Sequence, residues 1–168
     1  MAEINEKVIL RDTAEKYSEK VKEIVPPFVD LMKAIVELED SAFVKLEEQD
    51  AEKEKMGIPS SQVHPDFLDF MEEYREQYGA LVSEHCTEKL LDRPYGGSIG
   101  RPAKYLDVVN GPLYFTMKSA NKAIIETENP KSSPEKLRFV LKNLDGVWKI
   151  DEVKYGFLDE DTWYVDEI

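Results

Sequence analysis

Soft metal ligands are scarce in this 168-residue chain, which has two histidines and a single cysteine, Cys86. That scarcity excludes the usual thiolate or imidazole metal site. One cysteine also excludes an internal disulfide and suits a reducing compartment. Long apolar runs are missing too. None approaches the ~20 residues of a helical membrane span. Basic charge is short: 22 lysines and arginines stand against 35 acids, a net charge of −13. A nucleic-acid footprint needs the opposite balance, and an anionic membrane is an equally poor partner. Met1 to Asp12 has no apolar core and no small-residue cleavage site, so the expected location is cytoplasmic.

What is present is enough apolar material for one core, since 42% of the residues are hydrophobic. The expectation is a single domain over 1–168, with a helical part at about 1–92, a sheet part at about 103–158 and an acidic end at 159–168. The acids are concentrated. Glu37 to Glu54 carries net −6, Asp66 to Glu76 net −4 and Asp159 to Ile168 net −5, which leaves the rest at +2. Such segments serve either as solvated exteriors or as surfaces that steer a basic partner.

The first third has helical spacing. Ala14, Tyr17, Val21, Ile24 and Val25 share one face. Thr13 is the expected cap, and Pro26-Pro27 the expected end. Phe28, Leu31, Met32, Ile35, Val36, Ala42, Phe43 and Leu46 predict a second helix with acids opposite, stopped at Gly57–Ser61. A third starts near Pro65, with Phe67, Leu68, Met71, Tyr74 and Tyr78 inward. Gly79 kinks it or separates it from a helical stretch over Ala80–Leu91. Arg93–Pro102 reads as loop.

From Lys104 the period becomes two. Tyr105–Asn110, Pro112–Ser119 and Asn121–Glu128 read as strands, with a hairpin at Asn110-Gly111 and a tight turn at Ser119-Ala120-Asn121. Asn129–Pro134 reads as a polar loop. Leu137–Leu144 and Val147–Phe157 form a hairpin through Asp145-Gly146. Trp148 and Ile150 share one parity while Val153, Tyr155 and Phe157 share the other. One extra residue near Asp151-Glu152 restores a common face, which predicts a β-bulge. The fold class is α+β: N-terminal helices packed in a strongly curved, cone-shaped antiparallel sheet of four to six strands. No strand is expected before residue 60, and Trp148 is expected to lie largely buried beneath the helices.

The chemistry on offer is thin. His85 and Cys86 are neighbours on a predicted helix and point about 100° apart, so Cys86 reads as core. His64 reads as a surface residue or local cap. Gly96-Gly97-Ser98-Ile99-Gly100 lacks the lysine-serine ending of a phosphate loop and reads as a flexible crossing. Asp151-Glu152 and Asp159-Asp161 lack the spacing of a cation loop. No catalytic, cofactor or metal residue is assigned and no cofactor is expected. A buried aspartate acting as general base in the cone stays open as an alternative.

Gly100-Arg101-Pro102-Ala103-Lys104-Tyr105, Ala123-Ile124-Ile125-Glu126-Thr127, Leu137-Arg138-Phe139-Val140-Leu141-Lys142 and Asp145-Gly146-Val147-Trp148-Lys149-Ile150-Asp151 follow one another over roughly Gly100 to Phe157. This series resembles the immunity proteins with a nuclear-transport-factor-2-like fold that accompany bacterial polymorphic toxins. The resemblance implies a non-enzymatic inhibitor that binds a cognate toxin domain in the producing cell's cytosol, often in contact-dependent or type VI secretion systems. It transfers no site residue. Physics alone nominates the acidic end, Asp159, Glu160, Asp161, Trp163 and Tyr164, together with the Glu37–Glu54 face, for contact with a basic toxin such as a nuclease. The competing interpretation of the end is that Trp163 and Val165 pack back as a short extra strand or lid while the acids are solvated. Two other functions stay open: a small-molecule enzyme or binder of ketosteroid isomerase or polyketide cyclase type, and a dimerising accessory domain.

Overall fold

A computed structural model describes residues 7–129 and 135–168. The chain opens with a short strand β1 (Val8–Leu10) and a 3₁₀ helix at Glu15–Lys20. A long helix α1 (Val21–Met56) follows, then α2 (Phe67–Val82) and two short helices, α3 (Glu88–Leu91) and α4 (Leu106–Asn110). Strands β2 (Leu113–Ser119), β3 (Lys122–Asn129), β4 (Glu135–Leu144), β5 (Val147–Phe157) and β6 (Trp163–Asp166) complete it. The sheet runs in order β1-β2-β3-β4-β5-β6 and stays open. The architecture is α+β, with the helices against one face of the sheet.

The five strands after residue 103 pair antiparallel in sequence order. β1 corrects two expectations: it lies before residue 60, and it pairs parallel to β2, making the sheet mixed. Three residues are too few to show a period of two. The helices between β1 and β2 supply the crossover that a parallel pair needs.

Pro26 and Pro27 do not end a helix; they lie within α1. Each lacks the amide that would reach back four residues, and a proline inside a helix costs about 3 kcal/mol. Burial on both sides outweighs this. Val21, Ile24, Val25, Phe28, Val29, Leu31, Met32, Ile35 and Val36 are all buried, and each large aliphatic is worth about 1.5–3 kcal/mol. Thr13 caps nothing in the helix either. Its hydroxyl lies by the sheet, within hydrogen-bonding distance of the Arg11 and Phe115 carbonyls, and accepts from the Met117 amide.

In α2, Tyr74 and Tyr78 are buried but Leu68 is 72% exposed. Leu68 falls one residue off the stripe of Phe67, Phe70, Tyr74 and Tyr78, a turn of about 100° toward solvent. Gly79 lies inside α2 without ending it, and a Cβ there would meet the Tyr95 hydroxyl at 3.0 Å. Residues 106–110, read as strand, are α4 instead. A short apolar run does not distinguish strand from buried helix by period. Gly111 is no hairpin residue. Its amide caps α4 by donating to the Asp107 carbonyl, and a Cβ there would lie 2.7 Å from that oxygen.

The two hairpins that hold the sheet match expectation. Ser119 pairs with Lys122, leaving a two-residue turn. Asp145 (φ 53°) and Gly146 (φ 87°) are both left-handed, the type I′ geometry that suits strand twist. The bulge lies where the parity break places it. Val140 pairs with Glu152 and Leu141 with Ile150, so Asp151 is the extra residue. Val153 thereby returns to the core. Of the Asn129–Pro134 loop, Asn129 ends β3 and 130–134 lie outside the described residues.

Side chains fill the space between α1 and the sheet. Phe139 of β4 meets Phe28 of α1 at 4.9 Å and Tyr105 at 5.7 Å between ring centres. Tyr105, Phe115, Ile125 and Phe139 are fully buried.

Candidate functional site

The bulge exposes what an acid-base site would have to look like. Asp151, the extra residue of the bulge, is buried. Its Oδ1 accepts from the Thr87 hydroxyl at 2.9 Å, and its Oδ2 lies 2.9 Å from Lys142 Nζ and 3.5 Å from Lys89 Nζ. Burial raises the Asp151 pKa, but Lys142, Thr87 and Lys89 together outweigh it and hold the carboxyl below its ordinary range. Glu152 is likewise lowered, mainly by its hydrogen bond from Lys89. A carboxylate held ionised by two ammonium groups is a poor proton acceptor.

Cys86 and three tyrosines are held in their neutral forms. Cys86 is buried, and burial pushes its thiol up to about 12 despite the Lys149 charge. Burial, with smaller contributions from neighbouring groups, also raises Tyr74 to about 12 and pushes Tyr78 and Tyr105 well above their ordinary value. His64 is a cap, as expected, but a buried one. Its Nδ1 accepts from the Asp66 amide at 3.0 Å, which makes Nε2 the protonated nitrogen facing Glu52 at 2.8 Å. Among the described residues no group of three histidines, cysteines or carboxylates is placed to hold a metal.

The nominated partner residues sit at one edge of the sheet. Asp159, Glu160 and Asp161 form the exposed connection into β6. β6 pairs with β5 through Gly156–Trp163, Tyr155–Tyr164, Lys154–Val165 and Val153–Asp166, so its side chains alternate between the two faces. Trp163 packs back onto the outer face, with the Arg138 guanidinium 4.1 Å and Lys136 Nζ 4.4 Å from its ring centre. Lys136 Nζ also donates to the Glu160 carbonyl at 2.7 Å. Tyr164, on the opposite face, stacks on Tyr155 at 5.3 Å and meets Phe157 at 6.4 Å. Its hydroxyl donates to Glu160 Oε2 at 3.3 Å, and the Glu160 charge raises its pKa. Tyr164 keeps 40% of its surface in solvent and Val165 62%. The end is thus a short added strand whose tryptophan is occupied internally, while Asp159, Glu160, Asp161, Tyr164 and Val165 stay exposed.

The Glu37–Glu54 segment is not one uniform face. Glu39 is buried and accepts the amides of Gly100 at 3.0 Å and Lys104 at 3.2 Å. Glu52 is committed to His64, and Glu47 lies 3.8 Å from Arg101. Glu37, Glu48, Asp50 and Glu54 remain exposed.

Sequence reasoning missed Glu39, Lys136 and Arg138. The two cations lie two apart on one strand, which shows a common face. Their meeting with Trp163 needed the β4-β5-β6 register. Trp148 is also less buried than expected. Its ring is half-buried against the core, and its indole N–H is buried without an acceptor among the described residues.

Comparison with protein families matches residues 41–167 to the family described as NTF2 fold immunity protein. No curated protein and no solved structure matches the chain.

Proposed function

The chain belongs to the NTF2 fold immunity protein family, and from that membership we propose that it binds a cognate toxin domain and neutralises it in the cytoplasm of the cell that makes both. The observation that carries this reading is the match across residues 41–167, which takes in the C-terminal part of α1 and every later element. The geometry agrees with an occluding inhibitor. The sheet's inner face is filled by Phe28, Tyr105 and Phe139, and its buried aspartate is ion-paired. A ketosteroid isomerase-type site would need an open pocket and an unpaired carboxylate of raised pKa. Toxin capture needs only a complementary surface.

The partner we propose is a basic toxin domain, with nucleases as the leading class because they bind phosphate. The contact surface comprises Asp159, Glu160, Asp161 and Tyr164 at the β6 edge and the exposed acids of α1. Trp163 serves as the internal anchor that holds β6 in place. The test is co-expression of this chain with the toxin domain encoded beside it. Survival of the cells, and a stable complex of the two purified proteins, is the expected result. Cell death at full expression of this chain, with no complex, contradicts the reading.

A further inference from the structure

A second surface lies away from the β6 edge, where the first turns of α1 pass over the β4-β5 hairpin. A pocket of about 340 Å³ opens there, walled by Ile24 and Leu31 of α1 and by Val147 and Trp148 of β5. Its size is at the low end for small-molecule sites of ~300–1,000 Å³. Of the lining residues Val147 keeps 52% of its surface in solvent, and its cross-strand partner Leu144, beside the pocket, 46%. The titratable residues that line it are Glu23, Glu84 and His85, with no lysine or arginine. Glu23 meets Lys20 at 2.8 Å, in an exposed pair. Glu84 has no ion-pair partner among the described residues.

We infer that this pocket is an anchor site for one large apolar side chain of a partner polypeptide, flanked in the partner by a basic residue. The occupant follows from the lining. An apolar floor under an exposed aliphatic rim is the form of an interface anchor, where a single buried side chain carries much of the binding energy. A lining with two carboxylates and no lysine or arginine favours a cationic neighbour over an acidic one. The inference rests on the immunity reading for the identity of the partner, a toxin domain, but the pocket's chemistry is testable alone.

The chain has two tryptophans, so Trp163→Phe leaves Trp148 as the sole fluorescent reporter of this wall. That variant is titrated with the peptides Ac-Arg-Phe-Arg-NH2 and Ac-Glu-Phe-Glu-NH2. The expected result is a saturable change in Trp148 emission with the basic peptide at millimolar concentration or below, and at least tenfold weaker binding of the acidic one. Val147→Arg, which puts a cation in the mouth, should weaken the basic peptide at least tenfold. Glu84→Lys should do the same should Val147→Arg not fold. No saturable change, or equal response to both peptides, overturns the inference. The toxin domain provides the second arm. A complex whose affinity Val147→Arg leaves unchanged overturns the pocket and leaves the immunity reading standing. A peptide-binding pocket in a chain that captures no toxin contradicts the immunity reading and keeps the pocket.

Discussion

Glu39 shows how a single residue changes meaning between sequence and fold. It stands in a run of acids, yet it is buried, and its two oxygens hold the amides of Gly100 and Lys104. Those bonds fix the loop that delivers Tyr105 to the core. Hydrogen bonds to a charged group are worth about 1.5–3 kcal/mol each, and an orphaned buried amide costs about as much again as a neutral bond. Glu39→Ala should therefore destabilise by about 3 kcal/mol in urea unfolding, while Glu48→Ala, exposed on the same helix, should change it by less than about 0.5 kcal/mol. Equal effects would remove Glu39 from this role. Asp151 and Glu152 predict the acid response. Both carboxyls have folded pKa values below the ordinary range. Their contribution is fully present above the unfolded value near pH 4 and is lost as pH falls through the lowered folded values. Stability should thus decline below about pH 5, and Asp151→Asn should flatten that decline. An unchanged slope would show that the lysine cluster does not stabilise the ionised form. Trp148→Ala should cost about 2 kcal/mol, below the 3–5 kcal/mol of a fully buried ring, because its ring already borders an open pocket.

At the scale of elements, the sheet was more legible than the helices. The strands β2 to β5, their two tight turns and the bulge at Asp151 follow from parity and turn chemistry, because a one-residue slip would expose a whole apolar set. Helix boundaries followed local rules that tertiary burial overrode. Pro26 and Pro27 read as a stop, but Ile24, Val25, Phe28 and Val29 are buried on both sides of them, and that burial keeps α1 continuous. Pro26→Ala should accordingly raise stability by about 1–3 kcal/mol, since it restores an intrahelical bond and removes a ring clash. A loss of stability would mean that the prolines are needed for the path of α1. β1 was illegible because three residues carry no period. The acidic end was legible as acidic and aromatic. Its pairing with β5, and the cations that hold Trp163, depend on register across three strands.

At the scale of the whole molecule, an acid-rich surface surrounds a filled interior. With net charge −13, long-range attraction should accelerate capture of a basic partner and should fade as screening shortens to about 8 Å at physiological ionic strength. The changes Asp159→Asn, Glu160→Gln and Asp161→Asn together should slow association with the toxin domain and leave the unfolding midpoint in place, because these side chains are exposed. A triple variant that associates as fast as the parent would move the contact to another surface. The central claim, that this chain protects by direct capture, is tested most directly by titrating the purified toxin domain into this chain while following toxin activity and complex formation together. Direct capture predicts stoichiometric loss of activity that tracks a saturable complex. Full toxin activity in the presence of excess chain, with no complex, would contradict it.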